Sequence, residues 1–401
     1  MLWLWITTTR GETVDFELDE EYRLLNETVS KFVDSELMPL EAAVLEREAN
    51  GEGYELTKEE LAPLHDKCRE LGLWGLDSPA ETGGADLPAL ALVGVNEALG
   101  RTVTPFTFPP DSPNLHMMLA TVNEEQRKKY LEPYARGETV SAIAISEPGA
   151  GADPAGMITK AVRDGDDWVI NGRKIWISRI READFTIVMA VTDPKKGARG
   201  GISAFIVDRG TPGLEVARDI KLIGGHSNCE VVLDNCRIPA SQLLGKEGQG
   251  FAPMQLRLIV RRLQIGAWCL GMTNRALEMM CQHANQRVTF GAPLADRQSI
   301  QWWVADAVTR AHCLKLMLWE AATKQDRGGD VRTEASMIKL YGTELATDVL
   351  DNAMQAFGAM GMTKELPLQM MAQRVRLMRI YEGPSEIHRW VIARQRLKQS
   401  A

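Results

Sequence analysis

The chain has 401 residues, 45% hydrophobic and 25% charged, enough to bury a large core and more than one compact unit usually holds. Its 54 acidic residues outnumber 46 basic ones, and the net charge of -8 excludes a general nucleic-acid binder, whose surface would be basic. Six cysteines with no CxxC pair and no repeated spacing read as free, mostly buried thiols in a reducing compartment.

Residues 1–14 read as a tail. The apolar run in MLWLWITTTRG is too short for a signal-peptide core, and no stretch approaches the ~18 apolar residues of a membrane span, so a cytoplasmic protein is expected. Over 15–138, Tyr22, Leu25, Val29 and Phe32 recur at three- and four-residue spacing, which predicts an N-terminal α-helical domain. Over 139–244, runs such as SAIAISEP, DWVINGRKIWI, FTIVMAVTD and ISAFIVDRG predict a middle antiparallel β domain. Within it, Asn171-Gly172 between two β-rich triplets predicts a hairpin turn. The linker GKEGQG opens a C-terminal α-helical domain, 245–401, with four long helices expected near 251–287, 299–325, 331–357 and 384–397. Trp302-Trp303 are expected in the core. The order α, β, α, with neither βαβ alternation nor internal repeat, gives an α+β class.

Two segments are candidates for chemistry. In RIYEGPSEIHR, Glu382 precedes a helix for which Pro384 is suited as the first residue. An acid there is favoured by the helix dipole, and it is also placed to act as a general base beside backbone donors. The loop SEPGAGADPAG follows a strand, but Pro154 stands where a dinucleotide fingerprint needs its third glycine, so the Rossmann reading fails. Such a loop suits tight turns, and it can also bring backbone N–H groups against a flat or phosphorylated ligand. None of the six histidines has Glu three residues earlier, and there is no Gly-x-Ser-x-Gly elbow, so no metal site and no serine nucleophile is expected.

These segments, with INGRKIWIS, QRVTFGAPL and QAFGAMG in this order, resemble the acyl-CoA dehydrogenase family from about Asp15 to Arg396. The resemblance implies an N-terminal helical domain, a middle β-barrel domain and a C-terminal four-helix bundle holding FAD, in a homotetramer or homodimer. It implies that Ile145 and Ser146 contact the flavin, that Trp176 and Ser178 cover its other edge, and that Glu386 lies beside it. Arg287, Phe290, Gln298, Gln355 and Gly358 would hold the adenine-diphosphate end, commonly of the neighbouring subunit's FAD. Glu382 matches the family's catalytic base, with no rival at Val260-Arg261-Arg262. Ala152, Arg262 and Gly383 would face the substrate. The implied reaction turns an acyl-CoA into the trans-2-enoyl-CoA, with electrons passed to an electron-transfer flavoprotein, as in fatty-acid β-oxidation. The alternatives are a same-fold flavin oxidase using O2, of the acyl-CoA oxidase or nitroalkane oxidase kind, and a catalytically silent structural subunit.

Some positions depart from the family pattern. Ala152 replaces a common Ser and Ile259 a common Asp, while EGPSE replaces EGTSQ. The EGP form, with PPDSPN, looks like the subgroup of acyl-CoA dehydrogenase 10 and 11 type proteins. Losing two polar contacts predicts affinity gained by apolar burial, at ~0.8 kcal/mol per methylene, and so bulky, branched or long acyl groups over butyryl.

Overall fold

The computed structural model describes residues 18–198 and 200–398. The tail at 1–14 lies outside the described residues. The first block is helical: α1 (Glu20–Phe32), α2 (Glu41–Ala49), α3 (Lys58–Glu70), α4 (Ala89–Gly100), then the short α5 (Leu115–Leu119), α6 (Glu124–Gln126) and α7 (Glu132–Ala135). Helix α3 starts where Thr57 and Glu60 cap each other's backbone N–H groups. Helix α4, ALALVGVNEALG, is apolar nearly all round and is accordingly buried between its neighbours.

The strands are β1 (Ser141–Ala144), β2 (Lys160–Asp164), β3 (Asp167–Ile177), β4 (Phe185–Val191), β5 (Ile202–Asp208), β6 (Leu214–Lys221), β7 (Ser227–Pro239) and the short β8 (Leu243–Leu244). They form one sheet in the order β6-β7-β3-β2-β4-β5-β8, with β1 added alongside β4. Pairing is mostly antiparallel, with β1 and β2 each meeting β4 in parallel, so the sheet is mixed. The hairpin expected at Asn171-Gly172 is not there. Strand β3 runs straight through it, and the turn lies earlier, where Asp164 pairs with Asp167 around Gly165 at φ 61°. At Asn171-Gly172 the ladder to β7 is bulged, with Asn235 N–H donating to the Asn171 side chain at 2.7 Å. Glycine is required at 172 because a Cβ there would strike Thr159.

The last block holds α8 (Phe251–Gln286), the two-residue strands β9 (Val288–Thr289) and β10 (Ala292–Pro293), α9 (Gln298–Asp326), α10 (Arg332–Phe357), α11 (Pro367–Met378) and α12 (Ser385–Lys398). Helix α11 is additional to the four expected, and α12 begins at Ser385, with the Pro384 carbonyl accepting from Ile387 and His388 N–H. Helices of the first and last blocks share one hydrophobic core. Their crossing is close: a Cβ at Gly271 of α8 would meet the Glu97 carbonyl of α4. A second core lies within the sheet, and a third joins the sheet to α5, α7 and the start of α8. Trp303 packs on the helical core, but Trp302, one residue round the helix, is 61% exposed. Of the cysteines, Cys68, Cys229, Cys236 and Cys269 are buried, Cys281 is half-buried and Cys313 exposed. No helix among the described residues is long and apolar enough to cross a membrane.

Candidate active site

Between α11 and α12 the backbone takes two successive left-handed residues, Glu382 at φ 55° and Gly383 at φ 97°. A glutamate pays a conformational penalty there that only surrounding structure can offset. Two cations supply the restraint. Arg262 Nε, from α8, donates to the Glu382 carbonyl at 3.1 Å, and Lys339 Nζ, from α10, donates to the Gly383 carbonyl at 2.5 Å. His388 closes the turn from beneath, so a Cβ on Gly383 would lie 3.1 Å from its Nε2. Burial, helped by Arg262 and Lys339, pushes the His388 imidazole down to about 3, so it is neutral. Burial likewise brings Lys339 down to about 8.

The Glu382 carboxylate sits at the end of a hydrogen-bonded chain. Arg257 Nη1 donates to both of its oxygens, at 3.0 and 3.1 Å, and Arg257 Nε donates to Asn114 Oδ1 at 2.8 Å. Asn114 Nδ2 donates to Ser141 Oγ at 2.8 Å, which reaches the first residue of β1. Burial acts to raise the Glu382 carboxyl, but Arg257, Arg261 and Arg262 outweigh it and hold it below the usual carboxylate range. No hydrogen bond from the Glu382 N–H is found among the described residues, so a donor stands open next to the carboxylate. Arg257 carries no motif in the sequence. Its signal is a cluster of arginines at 257, 261 and 262 on an apolar helix stretch, with no acid three or four residues away to pair with them.

Four residues past Ser141, Ile145 and Ser146 are half-buried at the end of β1, and Ser146 C=O accepts from Ile175 N–H at 3.0 Å. The register shift between Lys174 and Ile177 in β3 puts Trp176 at φ 65° and leaves its ring half exposed, with Ser178 exposed two residues on. Beneath this corner the Lys174 ammonium, fully buried, donates to Ile145 C=O and to Glu147 Oε1, each at 2.9 Å. An exposed indole beside hydroxyls and a loop of little side-chain bulk fits a flat ring with a polar edge, so these residues fit a flavin. Ala152 lies exposed in that loop, and Glu386 is exposed on the first turn of α12.

The remaining predicted residues gather elsewhere. Arg287 and Phe290 flank the β9 strand, Gln298 opens α9, and Gln355 and Gly358 close α10; all five are exposed. His283 stacked on Phe357 at 4.1 Å ties the ends of α8 and α10 together. Arg287 lies 25 residues beyond Arg262 along α8 and its cap, roughly 37 Å at 1.5 Å per residue, so this cluster is remote from Glu382 of the same chain. Among the described residues no group of three or more His, Cys, Asp or Glu is placed to hold a metal ion.

Comparison with known proteins accounts for nearly the whole chain. The models of the acyl-CoA dehydrogenase N-terminal, middle and C-terminal domains match residues 19–138, 142–236 and 248–397. The chain is 41% identical over 394 residues to (R)-benzylsuccinyl-CoA dehydrogenase of Thauera aromatica, covering 96% of this chain and 97% of that one. Among solved structures, butyryl-CoA dehydrogenase from Megasphaera elsdenii superposes with a TM-score of 0.83 at 29% identity, over 96% of this chain and all (100%) of that one. The FAD complex of PigA gives 0.84 at 29% identity, over 95% and 99%. The chain therefore belongs to the acyl-CoA dehydrogenase family, flavoprotein oxidoreductases that dehydrogenate acyl-CoA thioesters, and its cofactor is FAD.

Proposed function

We propose that this protein catalyses α,β-dehydrogenation of an acyl-CoA to its trans-2-enoyl-CoA, with Glu382 as the base that takes the α-proton. The observation that carries this reading is the Glu382 turn: a carboxylate only 14% exposed, held in a left-handed conformation by Arg262 and Lys339, and linked through Arg257 and Asn114 to the start of β1. A thioester α-proton is weakly acidic, so its removal needs a fixed carboxylate in a largely dry site and donors for the enolate-like oxygen. The open Glu382 N–H supplies one such donor. FAD, when bound, accepts the β-hydrogen as hydride. Ile145, Ser146, Trp176 and Ser178 hold the flavin ring, and Glu386 lies beside it. Ala152, Gly383 and Arg262 border the thioester.

The distance along α8 between Arg262 and Arg287 supports a second part of the proposal, that Arg287, Phe290, Gln298, Gln355 and Gly358 serve the FAD of a neighbouring subunit in a homodimer or homotetramer. Electrons pass on to an electron-transfer flavoprotein, and the dehydrogenase assignment is preferred to an O2-using oxidase. We place the domain limits at 15–138, 139–244 and 245–401, and the protein in the cytoplasm. Bulky or branched acyl groups are expected as substrates, a reading supported by the ring-bearing acyl group in the Thauera relative's name.

The test is anaerobic titration of the purified yellow protein with a panel of acyl-CoA esters, followed at the flavin absorbance. Bleaching by a bulky thioester, with butyryl-CoA poorer, is expected. A well-folded, FAD-loaded preparation that no CoA ester bleaches would overturn the reading.

A further inference from the structure

The pairing of Arg257 with Glu382 conflicts with a base that is ready to work. Arg257 donates to both carboxylate oxygens and so takes up part of the lone-pair capacity through which Glu382 would accept a proton. The guanidinium also weakens the carboxylate as a base by favouring its charged form.

Arg257 is nevertheless built in. It is 9% exposed, and its Nε is fixed by Asn114, itself buried and held by the Tyr134 hydroxyl at 3.1 Å and by Ser141. Its Nη2 has no hydrogen-bond partner among the described residues. A buried guanidinium is costly to leave without an anion, so release of Glu382 for chemistry is favoured when another anion takes its place. Asp111, three residues from Asn114, is already bound by Arg179 at 2.6 Å. Arg261 and Arg262 add positive field at the same carboxylate.

We propose that the acyl group of the substrate carries a second, free carboxylate, which takes over Arg257 and thereby releases Glu382 for α-proton removal. This rests on the reading of Glu382 as base and of an acyl-CoA as substrate. The geometry also sets the spacing. Arg257 lies 3.0 Å from Glu382 and the α-carbon must come within about 3 Å of that carboxylate, so the guanidinium is within about 6 Å of the α-carbon and the substrate carboxylate, one hydrogen bond further, within about 9 Å, a range that takes in succinyl- and glutaryl-type thioesters. Arg257 is then a specificity residue that couples substrate recognition to freeing the base. A neutral acyl chain of equal size would fill the pocket but leave the base engaged.

The experiment compares matched pairs on the FAD-loaded enzyme: glutaryl-CoA and 2-benzylsuccinyl-CoA, each against the thioester whose free carboxylate is methylated. Flavin bleaching and kcat/KM are read for wild type, Arg257→Gln and Arg257→Lys. For at least one pair the free acid should exceed its ester by about thirtyfold or more in wild type, as expected for a buried charged pair. Arg257→Gln should collapse that ratio towards one, and Arg257→Lys should restore part of it. If the esters match or exceed the acids in wild type, the inference falls while the proposed function stands, and this arm needs no variant to fold. If the acids win but the ratio survives Arg257→Gln, the carboxylate is read elsewhere and the inference also falls. If neither acid nor ester bleaches the flavin, both readings fall together.

Discussion

Two buried carboxylate–cation pairs lie on either side of the site, and they are built differently. Glu147 and Lys174 are 2% and 0% exposed at the side chain, and every contact is closed: Glu147 accepts from Ile158 N–H, Thr159 N–H and Lys174, and Lys174 also donates to Ile145 C=O. Glu382 and Arg257 are 14% and 10% exposed, sit on a left-handed turn, and leave an N–H and a guanidinium nitrogen open. The first pair is satisfied internally and serves to set the corner that presents Ser146 and Trp176. The second is incomplete without a ligand, which is what a site for chemistry requires.

The sharpest way to break this contrast is to neutralise one carboxylate. Glu382→Gln should remain folded and keep the flavin, at some cost in stability because Arg257 loses its counter-charge, while turnover of a validated substrate falls about 10²–10⁴-fold, the usual loss for a missing general base; turnover assays on flavin-matched samples check it. Lys174→Met should act in the opposite manner, lowering stability by about 3–5 kcal/mol in denaturant titration by leaving Glu147 buried and unpaired. Any folded fraction should hold FAD more weakly, because Lys174 also fixes the Ile145 carbonyl at that corner.

A pH series sharpens the comparison further. His388 and His226 are held neutral, at about 3 and about 4 against an ordinary 6.5, chiefly by burial. The unfolded chain takes up these protons below about pH 6.5, whereas the native protein does not until the lower values. Their contribution to stability is therefore complete above pH 6.5, is lost progressively as the pH falls below it, and is fully lost once the pH has passed the folded values. Between pH 7 and 5 the loss should be about 2 kcal/mol per imidazole, and His388→Gln should flatten the slope by that amount in urea melts. The smallest expected effect lies at the far end of α8: Arg287→Ala should weaken FAD retention about tenfold on removal of one charge-assisted phosphate contact. Dilution of the wild type to a monomer, followed by light scattering and flavin fluorescence, should release FAD in the same way.

Blocks of regular pattern are legible in the sequence. The apolar periodicity of α1 and α8 and the continuous apolar runs of β4 and β5, buried on both faces, each follow from local preference agreeing with burial. Asn171-Gly172 misleads because the signal for a tight turn is also the signal for a bulge where another backbone comes close, and only Thr159, distant from any turn rule, decides between them. Helix α11 hides in LQMMAQRVRLM because the Pro at its first position and the nearby glycines read as a break. Glu382 stands out by its place before a helix, and the family resemblance supplies its role. Arg257 was not legible, since its meaning depends on Asn114, 143 residues away, and on a carboxylate 125 residues away.

The central claim, that Glu382 removes the α-proton, is tested most directly by exchange without net oxidation. An acyl-CoA analogue that carries a free terminal carboxylate and has sulfur in place of the β-carbon cannot lose a β-hydride, so exchange of its α-hydrogens into D2O, followed by mass spectrometry, reports the base alone. The FAD-loaded wild type should exchange them, and Glu382→Gln, matched for flavin content and fold, should do so at least about a hundredfold more slowly. Equal exchange rates in the two proteins would contradict the account.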